Sequence, residues 1–225
     1  DTPFKEILSL DLYQLLKPCQ SLFKLSKMKQ PDLENFVGIH NRKYCDGGQC
    51  IRLYKTFMKK KDPEAANIVM GHNEEDLLGL GTIFSLLAYK KLYDGEYHPK
   101  QCVILEQELK IVIELSAAAP VNVSCGNSDF YLSVNGYEAR MLVHLKEGKL
   151  RQYYRNYKDY EFIPGEDTAM PKSITRYMDK SLKIATTPQT CYTWFNCDED
   201  FLNNEKKQMQ YLTHTLPFFL DNLNK

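Results

Sequence analysis

A histidine and an aspartate four residues apart, His72 and Asp76, form the pattern in this chain best suited to chemistry. The apolar run over residues 63–93 predicts a long helix, and the i,i+4 spacing places both side chains on one face of it. An imidazole can transfer a proton and a carboxylate can bind a metal ion, and metal-dependent phosphodiester hydrolysis uses both. The alternative is an ordinary contact between two side chains on a helix surface.

The residues around this pair favour a functional role. Residues 73–75 are Asn-Glu-Glu, so the segment is acidic and suits a cation better than a phosphate. Gly71, Gly79 and Gly81 each lower helix propensity by about 1 kcal/mol relative to alanine, and glycine permits the close approach of a neighbouring group. Apolar side chains surround the pair and predict that it lies where the helix is buried: Ile68, Val69, Leu77, Leu78 and Leu80.

Tyrosines alternate with basic side chains over residues 149–160. Aromatic rings stack on bases and cations pair with phosphates, so the segment predicts a platform for single-stranded nucleic acid. The alternative is a strand whose tyrosines pack on a sheet face while its charges face solvent. The residues that we assign to the platform are Arg151, Tyr153, Tyr154, Arg155, Tyr157 and Lys158.

The first 95 residues have the pattern of a mostly helical segment. Residues 31–38 predict a short helix, with proline and acidic residues in its first turn and a glycine at its end. Asp62 and Pro63 predict the N-cap and the first position of the long helix.

Beyond residue 95 the pattern changes to that of half-buried strands. Apolar residues alternate with polar ones, and Asn-Gly and Glu-Gly pairs predict turns. We predict strands over 102–115, 130–145 and 151–163, turns at Asn135-Gly136 and Glu147-Gly148, and helices over 169–181 and 203–223.

Composition limits the classes of function. The 225 residues include 29 Lys and Arg and 29 Asp and Glu, so the formal net charge is zero and any nucleic-acid binding must be local. Seven scattered cysteines without a CxxC motif argue against a disulfide framework and predict reduced thiols in a cytoplasmic protein. The absence of an 18-residue apolar run predicts no membrane partner.

Taken together, motifs over residues 11–93 resemble the last part of a ribonuclease-H-like domain, in the subgroup of bacterial DEDD-type 3′–5′ exonuclease-like proteins. The similar segments are Asp11-Leu12-Tyr13, Lys29-Gln30, residues 33–39, Gly47-Gly48-Gln49, Leu53-Tyr54 and His72-Asn73-Glu74-Glu75-Asp76-Leu77. Further motifs resemble the C-terminal extension of the same proteins: residues 156–160, residues 164–169, Lys172-Ser173 and Cys191-Tyr192-Thr193.

The resemblance implies an α+β fold. Residues 1–95 would be the mostly helical C-terminal portion of a ribonuclease-H-like α/β domain. Residues 96–225 would be an antiparallel β-rich accessory domain of unknown role, with a C-terminal helix.

In that family four carboxylates hold two divalent metal ions, Mg²⁺ or Mn²⁺, which activate water and stabilise the leaving oxygen. The resemblance maps the last carboxylate, a metal ligand, onto Asp76. It maps the residue that orients or deprotonates the attacking water onto His72. Both residues are therefore the candidate catalytic positions.

The family's first D-x-E pair and its second aspartate motif are expected upstream of residue 11. Residues 32–34 and 62–64 fit the letters D-x-E, but they lie at helix starts, after the expected sheet. The resemblance thus implies part of a metal-dependent 3′–5′ exonuclease-like nuclease that acts on nucleic-acid phosphodiesters. We expect the chain, with only the last active-site motif, to be inactive alone.

A second hypothesis is a non-catalytic module that binds nucleic acid or a protein, with the nuclease scaffold as a remnant. A D-x-E strand and a second aspartate motif upstream of Asp1 would favour the enzyme.

Overall fold

The computed structural model describes residues 9–40, 42–44 and 47–223. The fold is α+β, with helices first and then antiparallel sheets and a C-terminal helix, which confirms the predicted fold class. The chain divides into two compact units, Asp1–Leu87 and Ala88–Lys225. None of the helices in the described part of the chain has the length and apolar character needed to span a bilayer.

The first unit is helical. Its α-helices are α1 (Leu12–Leu16), α2 (Gln20–Phe23), α3 (Gln30–Phe36), α4 (Gly47–Lys60) and α5 (Pro63–Ile83). The predicted start of the long helix is confirmed, because the Asp62 side chain accepts a hydrogen bond from the Glu64 backbone N–H at 3.0 Å and Pro63 is the first helical residue. The predicted short helix is α3, and Gly38 follows it with a φ of +94°.

Helix α5 contacts α3 and α4, and Glu34 of α3 approaches it closely at Gly79. Its buried residues are Ala65, Gly71, Gly79 and Ile83. The expected burial of its apolar residues is wrong for Leu77, Leu78 and Leu80, which are 62%, 67% and 40% exposed. The glycines let neighbouring groups approach the helix closely, whereas these leucines are exposed.

The second unit contains α6 (Leu87–Asp94) except for its first residue, and then three antiparallel sheets. The first sheet consists of β1 (Tyr97–Leu105), β2 (Glu108–Gly126) and β3 (Phe130–His144), in that order. The other elements are β4 (Lys149–Tyr153), β5 (Tyr160–Ile163), β6 (Thr168–Pro171), α7 (Lys172–Thr175), β7 (Ile184–Ala185), β8 (Tyr192–Asn196), α8 (Glu199–Leu202) and α9 (Glu205–Asp221). Strand β4 pairs with β8, and β5 lies between β6 and β7.

Alternation along the strands builds the core of this unit, because successive side chains point to opposite faces of a sheet. In β2, Leu109, Ile111 and Ile113 are fully buried. Helix α9 contacts β1 and β4, and its Phe219 ring stacks on Phe130 with the centroids 4.1 Å apart.

The predicted turn at Asn135-Gly136 is wrong, because β3 continues through both residues. Gly136 pairs with Ala119 between two register shifts of β2, and its φ of +54° fits an irregular strand as well as a turn. The predicted turn at Glu147-Gly148 is confirmed. Both residues have positive φ, and Lys146 and Lys149 exchange backbone hydrogen bonds across them.

Two other elements differ from the prediction. The helix expected over 169–181 is wrong, because Ala169 lies in β6, paired with Phe162, and α7 comprises only four residues. The strand expected over 151–163 is two strands, β4 and β5, separated by a 3₁₀ turn over 157–159.

Two glycines on α5 give a matched test of its close packing. A Cβ built on Gly79 would overlap the Glu34 carboxylate and lie 2.8 Å from its Cδ, whereas one on Gly81 meets no atom within 4 Å. We expect Gly79→Ala to lower the free energy of unfolding by about 1–3 kcal/mol through overpacking. Gly81→Ala should raise it by up to about 1 kcal/mol through helix propensity.

Denaturant unfolding of the full chain measures both values. Equal stability of the two variants would show that α5 does not use Gly79 for close packing.

Candidate functional site

His72 and Asp76 lie on the same face of α5, as their spacing predicts. The Nε2 atom of His72 is 3.5 Å from the Oδ2 atom of Asp76, and the two side chains are 15% and 36% exposed. This distance allows the imidazole and the carboxylate to interact but is long for a strong hydrogen bond. The other ring nitrogen of His72, Nδ1, is buried and has no hydrogen-bond partner within the described residues.

Arg42 joins Asp76 to a buried carboxylate on α3. Its Nη1 donates to Asp76 Oδ1 at 2.7 Å, and its Nε and Nη2 donate to the two carboxylate oxygens of Glu34 at 2.7 and 2.6 Å. Glu34 is only 2% exposed, so its negative charge requires the paired cation. The arginine uses three of its five donors in these contacts.

Gln30 reinforces the same arrangement. Its side-chain N–H groups donate to Glu34 Oε1 at 2.9 Å and to the backbone oxygen of Asp76 at 2.8 Å. Burial alone would raise the pKa of Glu34, but the hydrogen bonds from Arg42 and Gln30 outweigh burial and hold it below its ordinary value. The hydrogen bond to Glu34 raises the pKa of Arg42, so this pair is ionised at neutral pH.

Glu75 fixes the stretch that carries Arg42. Its carboxylate accepts hydrogen bonds from the backbone N–H groups of Lys43 at 2.8 Å and Tyr44 at 3.3 Å. The Tyr44 ring lies over Gly71, where a Cβ would overlap it. Both contacts involve α5, so one helix positions the Arg42 segment as well as His72 and Asp76.

Arg42, Glu34 and Gln30 are absent from the site that the sequence predicts. The i,i+4 spacing of Gln30 and Glu34 is a signal, since it places both on one face of a short helix. Glu34 is the third residue of one D-x-E match. The first residue of that match, Asp32, instead accepts a hydrogen bond from the Lys29 backbone N–H at 3.0 Å.

The donor set does not by itself fit a pair of divalent metal ions. The described residues contain no group of three or more His, Cys, Asp or Glu side chains placed to hold a metal ion. Asp76 already accepts from a guanidinium, and both oxygens of Glu34 do so too. Asp76 and Glu34 therefore do not form a metal site by themselves within the described residues.

The six platform residues do not share one surface. Arg151 lies between the Tyr192 and Trp194 rings, 4.7 Å from each centroid. Tyr153 is 4% exposed, and its ring stacks on Phe218 at 3.7 Å.

The other four members lie further along the chain. Tyr154 is half-buried and stacks on Tyr160 at 5.2 Å. Arg155 lies over the Tyr93 ring and 3.6 Å from Asp221 Oδ2. Tyr157 and Lys158, in the 3₁₀ turn, line a cavity. The exposed members, Arg155 and Lys158, are thus the ones most accessible to a ligand.

Comparison with known proteins concerns the helical unit. The family model described as the RNase_H superfamily matches residues 2–88, fewer than half of the 225 residues. No curated protein and no solved structure matches the chain. The predicted ribonuclease-H-like region is thereby confirmed, whereas the exonuclease subgroup, the bacterial origin and the roles of His72 and Asp76 stay predictions.

The Arg42 contacts predict a stability loss whose size depends on pH. Arg42→Met leaves the buried Glu34 carboxylate without its cation, which costs about 3 kcal/mol of unfolding free energy at pH 7. In the wild type the pKa of Glu34 lies below 4.5, so its contribution is full above that pH and is lost as the pH falls through the folded value. In the variant, burial raises this pKa, and protonation removes the unpaired charge.

The difference in unfolding free energy between wild type and Arg42→Met should therefore shrink from pH 7 to pH 3. Denaturant unfolding at several pH values measures it. A difference that is constant with pH would contradict the assigned pairing.

Burial of Tyr153 predicts a structural role that is separable from nucleic-acid binding. Tyr153→Ala should lower the free energy of unfolding by about 3–5 kcal/mol, because it leaves a cavity beside Phe218. Tyr137, which is 65% exposed, is the matched control, and Tyr137→Ala should cost about 1 kcal/mol or less. Thermal unfolding compares them, and equal losses would refute the packing of Tyr153.

Proposed function

We propose that residues 1–95 are the C-terminal portion of a metal-dependent 3′–5′ exonuclease-like nuclease that acts on single-stranded nucleic acid. One observation carries the proposal: the imidazole of His72 faces the carboxylate of Asp76 across 3.5 Å, in a segment similar to the RNase_H superfamily. Asp76 would be one of the metal ligands, with the other carboxylates supplied from outside the described residues.

His72 would take the proton of the attacking water. Its Nε2 is the nitrogen available for this step, because Nδ1 is buried. The imidazolium formed would be stabilised by the Asp76 carboxylate opposite Nε2. Asp76 and carboxylates from outside the described residues would hold Mg²⁺ or Mn²⁺, and such an ion would supply positive charge next to the phosphate.

Arg42 has a place in this scheme as a positioning residue. It holds Asp76 through Nη1, and two of its N–H donors remain after the contacts with Glu34 and Asp76. A guanidinium with free donors beside a carboxylate is also suited to a phosphate oxygen of the substrate.

A second candidate function follows from the same contact. A guanidinium 2.7 Å from Asp76 Oδ1 supplies a positive charge where the nuclease would use a metal ion. This favours a non-catalytic module that binds nucleic acid or a protein, with a remnant nuclease scaffold.

Hydrolysis of 5′-labelled single-stranded DNA and RNA separates the two candidates. The assay uses the longest natural protein that carries this chain, with Mg²⁺ or Mn²⁺ and with EDTA as the metal-free reference. A nuclease should shorten the strands from the 3′ end, and Asp76→Asn should slow this by roughly 100-fold or more. Glu64→Gln, at an exposed position in the first turn of α5, is the control and should keep the wild-type rate.

Full activity of Asp76→Asn would refute the role assigned to Asp76. Binding of the strands without hydrolysis, in the wild type and in both variants, would favour the non-catalytic module.

A further inference from the structure

A basic cavity of about 570 Å³ lies in the second unit, among the 3₁₀ turn over 157–159, β5, β7 and the start of α7. Four lysines and one glutamate line it, which leaves three net positive charges in a chain whose formal net charge is zero. The lysines are Lys158, Lys172, Lys180 and Lys183, and the glutamate is Glu161.

Lys183 is part of the structure of the cavity rather than a free charge. Its Nζ lies 2.8 Å from Glu161 Oε2 and donates to the backbone oxygen of Thr175 at 2.6 Å, and the side chain is 11% exposed. The hydrogen bond from Lys183 holds the pKa of Glu161 below its ordinary value. The only carboxylate that lines the described cavity is therefore already neutralised.

The other three lysines form no close ion pair within the described residues. Lys158, Lys172 and Lys180 are exposed, and no carboxylate of the described residues comes within 4 Å of their ammonium groups. Ammonium groups gathered at one cavity raise the local concentration of anions, and lysine binds phosphate as a point charge.

Aromatic rings form another part of the wall. Tyr157 and Tyr160 line the cavity, and the Thr186 hydroxyl lies 2.8 and 2.5 Å from their backbone oxygens, which share its one proton. Thr186 is buried and directly follows β7, so it holds the 3₁₀ turn at Tyr157 and the start of β5 at Tyr160 in place. Tyr160 also stacks on Tyr154, which continues the aromatic surface away from the lysines.

We infer that this cavity binds the phosphates of single-stranded nucleic acid through Lys158, Lys172 and Lys180, with Tyr157 and Tyr160 contacting the adjoining bases. Cations beside aromatic faces match a strand whose phosphates alternate with bases. The identity of the ligand rests on the proposed function, whereas the charge and the walls of the cavity do not.

Fluorescence anisotropy with a labelled oligothymidylate tests the site in EDTA, where binding is measured without hydrolysis. The site variant is Lys158→Gln/Lys172→Gln/Lys180→Gln. The control, Lys100→Gln/Lys110→Gln/Lys206→Gln, removes the same charge from lysines of the second unit that do not line the cavity. Each phosphate contact contributes about 0.7 to the slope of log K against log salt, so the site variant should lower this slope by about 2.

The same slope predicts that the loss of affinity in the site variant, relative to wild type, is about 20-fold larger at 50 mM salt than at 200 mM, because a fourfold change in salt enters to the power of about 2. The control should bind like the wild type, and an arginine triple at the three site positions should retain binding because the charges are kept. Equal weakening in the site and control variants would overturn the proposal, since a general loss of charge would then explain it.

Two further arms identify the source of the phosphate. Inorganic phosphate should compete only weakly, because it offers no base to the tyrosines. The wild type and the site variant should bind vesicles rich in anionic phospholipid equally well. Lysine-dependent vesicle binding without oligonucleotide binding would overturn the nucleic-acid assignment in favour of a lipid headgroup.

Failure of the cavity and failure of the nuclease are distinguishable. Oligonucleotide binding in EDTA reports on the cavity, whereas strand hydrolysis in Mg²⁺ or Mn²⁺ reports on the nuclease. Cavity-dependent binding in a protein without hydrolysis would retain this site and reject the nuclease. If the wild type hydrolyses the strands and the site variant binds the oligonucleotide normally, the cavity proposal is rejected and the nuclease proposal is kept.

Discussion

Burial of the Glu34 carboxylate is the constraint on which the arrangement of the first unit depends. An ionised carboxylate at 2% exposure is stable only beside a cation, and Arg42 supplies a bidentate partner. Gly79 makes this possible, because any side chain there would occupy the space of the carboxylate. The position of Arg42, and through it the environment of Asp76, therefore follows from a charge buried against a glycine.

Arg42 makes two hydrogen bonds to Glu34 and only one to Asp76, so Asp76 is the more easily released partner. Glu34 is held through Nε and Nη2, whereas Asp76 is held through Nη1 alone. If Asp76 leaves Arg42, the buried pair between Arg42 and Glu34 stays intact. The break therefore leaves no buried charge without its partner. A cation or a phosphate can thus compete for this one contact while the scaffold stays in place. Both candidate functions are consistent with such a contact.

The sequence predicts those parts of the site that depend on the spacing of residues along one helix. The i,i+4 relation of His72 and Asp76 needs only the geometry of one helix. Arg42 and Asp76 are 34 residues apart, so their pairing depends on how α3 and the following stretch pack on α5. The low helix propensity of Gly71 and Gly79 indicated close approach without identifying the group that approaches. The Asn135-Gly136 prediction failed for a related reason, since a positive φ fits a bulge as well as a turn.

In the second unit, the basic and aromatic residues of 149–160 fall into two groups. Some pack against other side chains of the unit, and others are exposed without an ion-pair partner among the described residues. Arg151 contacts the rings of both Tyr192 and Trp194, and Tyr153 is buried, so both stabilise the unit. Lys158 lies a few residues further on, where the strand has given way to a turn and no carboxylate of the described chain neutralises its charge. Composition alone cannot separate these cases, because the residue types are the same. The alternation of a strand directs side chains into the core, and where the strand is interrupted the same residue types face solvent.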